Sequence, residues 1–283
     1  MIAITGATGH LGRLVIDELL KTMPATDIVA LARSPEKATD IAAKGVQVRR
    51  ADYTDVASLD TALAGVDKLL LISSSEVGKR FAQHQAVIDA AKRAKVSLVA
   101  YTSILHADTS PLGLADEHLK TEAALRESGL PHALLRNGWY SENYTQGLPA
   151  AIERGALAGS AGNGRISSAA RADFAAAAAA VLVAPDQTGK VYELAGDDSY
   201  TLADLAAEAS RQSGKPVVYH DMPKTAYKDV LLGVGLPDFV AELLSDSDAG
   251  ASEGGLYDGG HQMSKLIGRP TTPMADAVAA ALR

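Results

Sequence analysis

Three glycines in the stretch TGATGHLG (5–12) have the type and spacing to hold a phosphate. Gly6-x-x-Gly9-x-x-Gly12 follows an apolar strand and opens a helix, so the backbone turns tightly and approaches a pyrophosphate closely. The helix start adds N–H donors and the positive end of its dipole. Gly6, Ala7, Thr8, Gly9, His10, Leu11 and Gly12 are therefore expected to cradle a dinucleotide. The second strand ends ALARSPEK (30–37). A chain that binds NAD usually carries an acid there for the ribose 2′-OH. Arg33, followed by Ser34 and Lys37, instead suits a 2′-phosphate, which predicts NADPH over NADH. Asp52 and Tyr53 end the third strand, where such folds meet the adenine. Ser73, Ser74 and Ser75 end the fourth, beside the expected pyrophosphate and nicotinamide ribose, because ligands gather at strand carboxyl ends.

These residues need a frame. Short apolar strands are expected at 1–5, 27–33, 46–52, 67–73, 97–103 and 131–137. Between them lie helical patterns at 11–23, 34–45, 55–65, 80–95 and 115–129. Ser34, Pro35 and Gly45 punctuate the second helix as cap, first turn and stop. Strand and helix in alternation imply an α/β, doubly wound parallel sheet with helices on both faces, a Rossmann arrangement. The pattern weakens after Asn137. Residues 141–165 read as loop, short helix and glycine-rich turn, 171–185 as an alanine-rich helix, 190–196 as a seventh strand, and 201–214 and 225–235 as helices. The expected division is a nucleotide-binding domain over 1–136 with a return of roughly 165–196. A smaller, discontinuous C-terminal substrate region takes 137–164 and 197–283.

Composition narrows the chemistry. A chain of 283 residues with 47% hydrophobic content can bury a sizeable core. A net charge of -7 argues against a nucleic-acid partner, and no basic block argues for a membrane surface. With no cysteine, thiol nucleophiles and Cys-ligated metal centres are excluded. The seven histidines show no HxxxH or HExxH spacing, so no metal site is expected. A strand beginning at Ile2 leaves no room for a signal peptide, and no apolar run reaches spanning length. A cytoplasmic protein is expected, for which a homodimer is one option.

Carbonyl chemistry on such a fold normally uses Tyr-x-x-x-Lys, in which the phenol shuttles a proton. None of the nine tyrosines has a lysine four residues later; Tyr101 is followed by Leu105. The segment RNGWYSENY (136–144) offers a substrate wall instead. Trp139 and Tyr140 can stack a planar ring or pack the domain junction, and Asn137 and Asn143 can bond a carboxamide or a substrate oxygen. Residues Asn137, Gly138, Trp139, Tyr140, Ser141 and Glu142 are expected to line the cofactor, with Asn143 facing substrate.

ITGATGHLG (4–12), LLLISSSEVG (69–78), LLRNGWYSENY (134–144), VYELAGD (191–197) and SDSDAGASEGGL (245–256) together closely resemble the type 2 NADPH:quinone oxidoreductases. These are atypical short-chain dehydrogenases of the NmrA-like group, related to triphenylmethane reductase. The resemblance runs over almost the whole chain. In the related isoflavone reductases a lysine lies about 13 residues before the proline that leads into the sixth strand. Counting back from Pro131, that position is His118, within ADEHLKTE (115–122). The resemblance implies direct hydride transfer to a quinone, an acceptor whose reduced anion needs only water or a weak acid. His118 then donates a proton, polarises a quinone oxygen, or is only a surface histidine of its helix near an acidic stretch. Asn143, His118 and Tyr140 are the candidate catalytic residues. A non-catalytic NADP(H)-sensing regulator of the NmrA type is the competing expectation.

Two further patterns carry no function. GASEG (250–254) matches a hydrolase nucleophile elbow but lacks the strand before it and the helix after it. DSDAG (246–250) lacks the ligand set of a calcium loop.

Overall fold

The computed structural model describes residues 1–283. The first half alternates as expected: β1 (Ile2–Ile4), α1 (His10–Leu19), β2 (Ile28–Ala32), α2 (Thr39–Ala42), β3 (Gln47–Arg50), α3 (Val56–Ala62), β4 (Lys68–Leu71), α4 (Arg80–Arg93), β5 (Leu98–Ile104), α5 (Ala115–Ser128) and β6 (His132–Asn137). There follow α6 (Glu142–Thr145), α7 (Leu148–Arg154), β7 (Ala156–Gly159), α8 (Arg171–Val183), β8 (Val191–Leu194), α9 (Leu202–Ser213), β9 (Val218–Asp221), α10 (Lys224–Gly233), α11 (Asp238–Ser252), α12 (Gln262–Ile267) and α13 (Met274–Ala281). Seven strands form one sheet in the order β3-β2-β1-β4-β5-β6-β8. The order reverses beside β1, which makes the doubly wound topology and places a switch point at the β1 and β4 carboxyl ends. The pairings from β3 through β6 are parallel.

The chain divides into two compact units. The first holds Met1–Ala107, Asp116–Asn137 and Arg171–Tyr192. Its core joins Leu69, Leu71, Val99, Tyr101 and Leu134 of the sheet to Leu59, Val87, Ile88 and Leu125 of the helices. The second holds Asp108–Ala115, Gly138–Ala170 and Glu193–Arg283. Segment 108–115, inside the 1–136 span expected for the nucleotide domain, clusters with the second unit, and the return begins at Arg171.

Local chemistry explains both matches and departures. The alanine run of α8 is helix as read, because Ala175, Ala177 and Ala178 are fully buried and let α8 pack closely on α1. Residues 34–45 are not one helix. Pro35–Ala38 is a single 3-10 turn with no side-chain cap from Ser34, and α2 adds only one turn. Residues 141–165 contain a strand as well as short helices. β7 pairs in parallel with β9 in a separate two-stranded sheet, Ala156 opposite Val218 and Gly159 opposite Asp221. Neither strand has the alternating branched residues that announce one. No helix is long and apolar enough to cross a membrane.

Candidate functional site

The loop between β1 and α1 has the shape its glycines imply. Gly6 sits at φ +58, a left-handed conformation that side chains resist. A Cβ on Gly12 would lie 2.5 Å from the Gly6 carbonyl oxygen and 2.8 Å from the Ala7 Cα, so α1 can start this close to the loop only with glycine there. Gly9 caps α1 without a side chain, leaving the first-turn N–H groups of His10, Leu11 and Gly12 free of intrahelical partners. Gly6, Gly9 and His10 are exposed, so the loop that leads into this turn is open to solvent. Arg13, whose role its sequence context does not announce, ties the loop down. Its Nε donates to the Thr8 carbonyl at 3.1 Å, one terminal nitrogen to the Lys37 carbonyl at 2.9 Å, and the other to Asp40.

At the end of β2, Arg33 is 73% exposed and reaches Glu76 at a loose 3.6 Å. Its guanidinium is thus available to a ligand. Asp52 accepts from the Thr54 N–H and hydroxyl, which holds its carboxyl below the usual range. Tyr53 turns inward against the core, and burial raises its phenol.

The fourth-strand serines differ among themselves. The Ser73 N–H bonds Thr102 Oγ1 at 2.8 Å, while the Ser74 hydroxyl is engaged by Gln83. Behind them lies a buried network that the sequence does not announce. Ser74 N–H donates to His84 Nε2 at 2.9 Å, and Arg80 Nε donates to the Ser74 carbonyl at 2.6 Å. His84 Nδ1 meets Thr121 Oγ1 at 2.9 Å, and that hydroxyl donates to the Glu117 carbonyl at 2.8 Å. His118 Nδ1 meets the Tyr101 hydroxyl at 2.8 Å and its Nε2 faces Arg80 at 3.4 Å. Glu117 closes the loop by accepting from Gly78 N–H at 2.9 Å and Phe81 N–H at 3.2 Å. The donors fix the tautomers: an imidazole nitrogen that accepts from a backbone N–H or an arginine leaves its proton on the other nitrogen.

This corrects the reading of His118 as a surface residue of its helix. It is 5% exposed, and both ring nitrogens are engaged within the first unit. Burial, then the Arg80 charge, keeps it neutral by pushing its pKa far down; the same causes bring His84 to about 3. The signal was present as spacing. Arg80 and His84 on α4, like His118 and Glu122 on α5, lie four residues apart and share a helix face. Glu122 is itself fully buried, accepting from Ser103 Oγ at 2.6 Å and from Arg136 at 2.9 and 3.0 Å.

Beyond β6 the expected wall resolves into distinct environments. Asn137 is buried with its side-chain oxygen unpartnered, an acceptor waiting for a donor such as a carboxamide N–H2. Within the second unit, Trp139 is buried with an unpartnered ring N–H. Ser141 is committed to the protein itself. It is 2% exposed, its hydroxyl meets Ser168 Oγ at 2.9 Å, and its N–H donates to the Ala169 carbonyl at 2.9 Å. Tyr140 bridges to Ala169 and its carbonyl accepts the Asn143 N–H at 3.0 Å. Asn143 follows on the one-turn helix α6, half-buried. Glu142 lies on another face of that turn, on the rim of a cavity of about 360 Å³ shared with Thr145, Gln146, Ala170, Thr272 and Asp276. Neither Asn143 nor Tyr140 lines that cavity. The GASEG stretch straddles the end of α11, with no strand before it, and so cannot form an elbow.

Comparison with known proteins fits this geometry. Residues 1–272 match the model of the NmrA-like family. Quinone oxidoreductase 2 of Escherichia coli (strain K12) is 59% identical over 278 residues, covering 98% of this chain and 97% of that protein. The crystal structure of the NADPH-dependent quinone oxidoreductase from Escherichia coli complexed with NADPH superimposes with a TM-score of 0.98 at 58% identity, over 100% of both chains. That of the Citrobacter sp. triphenylmethane reductase complexed with NADP(H) gives 0.96 at 39% identity, over 99% of this chain and 100% of the other. The chain belongs to the NmrA-like family.

Proposed function

We propose that this protein is an NADPH-dependent quinone oxidoreductase that passes hydride directly to a quinone. The observation that carries the reading is the 59% identity, over nearly the full length of both chains, to an Escherichia coli quinone oxidoreductase. The glycine cradle, the exposed Arg33 and the unpartnered Asn137 oxygen fit NADPH by its pyrophosphate, 2′-phosphate and carboxamide. Bound NADPH supplies the hydride, and with one proton from water the quinone becomes a hydroquinone.

The chain's own residues bind and orient. The first-turn N–H groups of α1 hold the diphosphate, and Arg33 selects the phosphorylated ribose. Asp52 faces the adenosine end through its edge, and Ser73 and Ser75 flank the nicotinamide ribose. Asn143 donates to a quinone oxygen, and Tyr140 bounds the ring. His118 moves no proton. It acts through Arg80 and Ser74 to hold the serine loop in place, which is the role of the residue standing where related enzymes carry a lysine. A sensor of the NmrA type would bind the nucleotide alike, but no observation favours it over a reductase. The small-molecule partner is a quinone, and a cytoplasmic setting fits a reaction that consumes NADPH.

The test is oxidation of NADPH followed by absorbance with a simple benzoquinone, against NADH and an enzyme-free blank, with no flavin added. Turnover with NADPH far above NADH is expected. Tight NADPH binding without turnover of any quinone would replace this reading with the sensor.

A further inference from the structure

We propose that Asp248 is a positioning residue for the substrate: through Tyr144 it fixes the turn that carries Asn143. The proposal rests on the reading of Asn143 as a quinone contact. It also gives a role to the SDSDAGAS stretch, which the nucleotide site does not use.

Asp248 lies on α11 within the second unit, 2% exposed. Its Oδ1 accepts from the Tyr144 hydroxyl at 2.9 Å and its Oδ2 from the Ser160 N–H at 3.1 Å. The approach is enforced by glycine: a Cβ on Gly159 would stand 2.8 Å from Oδ2 and 3.0 Å from the Tyr219 ring. Helix α6 has four residues and no side-chain cap. One turn cannot hold its own orientation in water, so tertiary bonds must set it. Ser141 anchors its start through Ser168, whose hydroxyl also meets that of Tyr200 at 2.6 Å. Tyr144 anchors its end through Asp248. Asn143 stands between the two anchors.

The choice of a carboxylate is informative. The groups that face it are Tyr144 from α6, Ser160 beside β7, Tyr219 and Asp221 from β9, and Tyr227 from α10. None is a cation. Burial, with the like charge of Asp221, holds the carboxyl up at about 6. An asparagine can keep both contacts only by reversing one, its Oδ1 accepting from the Ser160 N–H while its N–H2 donates to the Tyr144 oxygen, whereas an ionised aspartate accepts both strongly. The charge thus serves the two bonds at a cost in stability.

The experiment uses the full chain with Tyr144→Phe, Asp248→Ala and the double variant. Tyr219→Phe is the control, since it removes a hydroxyl bonded to Ala161 N–H and Asp221 in the same cluster without touching Tyr144. Each single variant is expected to raise the KM for 1,4-benzoquinone about tenfold, with kcat within about twofold and NADPH affinity unchanged. The double variant is expected to be no worse than the worse single one, because both break the same bond. Amide hydrogen exchange over 140–147 should quicken in all three and not in Tyr219→Phe. Additive losses, unchanged exchange over 140–147, faster exchange with unchanged quinone KM, or an equal KM rise in Tyr219→Phe would each overturn the proposal. If the wild type turns over no quinone, the functional reading fails, and exchange over 140–147 alone decides whether Asp248 is the anchor.

Discussion

The two units bury polar clusters that meet opposite electrostatic demands. In the first, Arg80 is 6% exposed and is surrounded by two neutral imidazoles, a phenol and a backbone carbonyl, with Glu117 as the nearby negative charge. In the second, the Asp248 carboxyl is surrounded by tyrosine hydroxyls and a backbone N–H, with Asp221 adding like charge. The histidines of the first cluster stay neutral near pH 7, so that cluster is a fixed scaffold for the serine loop. The second holds a carboxyl at about 6, close enough to neutrality to titrate. The serine loop is served by a network that does not change charge, while the turn of α6 hangs on one that does.

The largest expected effect breaks the first cluster. His118→Ala leaves the Tyr101 hydroxyl and the buried Arg80 short of partners. It should cost about 3 kcal/mol in denaturant unfolding and weaken NADPH binding through the Ser74 loop. His118→Gln, which keeps a donor and an acceptor, should recover part of both. A loss below about 1 kcal/mol would mean the network does not carry the loop.

The pH dependence of stability separates the clusters by sign. Asp248 has its folded pKa raised above the unfolded value, so the unfolded chain releases that proton first as pH rises. Stability from this group is full below about pH 4 and lost as pH climbs to about 6, a change of about 3 kcal/mol. Relative to Asp248→Asn, the wild type should weaken over that window and run level above it. His84 and His118 act the other way. Their folded pKa values are depressed, so stability is full above about pH 6.5 and falls as pH drops below it. Chemical denaturation of His84→Gln and Asp248→Asn across the window should give slopes that differ from wild type in opposite directions.

A smaller effect sharpens the nucleotide side. Arg33→Ser should weaken NADPH about tenfold and leave NADH nearly unchanged, read by titration calorimetry. Equal losses for both would remove Arg33 from 2′-phosphate recognition.

Much of the first unit was legible because its signals are local. Gly6 and Gly12 are demanded by a left-handed turn and by backbone a few residues away, and the central sheet strands are runs of buried apolar residues. The second unit was less legible because its elements are made by packing. The stretch SDSDAGAS, rich in turn residues, is helix in α11: Ser245 and Ser247 bond back to the Glu242 and Leu243 carbonyls. Gly250 is there because Leu112 would meet a Cβ at 2.9 Å. The burial of His118 was hidden for the same reason. Its helix reads as polar, and only the fold brings α4 and β5 over it.

The most direct test of the central claim is the single-turnover rate of NADPH oxidation at saturating quinone, from about pH 5.5 to about pH 9. Hydride transfer without a protein acid predicts a rate flat within about twofold across that range. A tenfold fall per pH unit above about 6.5 would reveal a titrating proton donor in the chain and contradict the account.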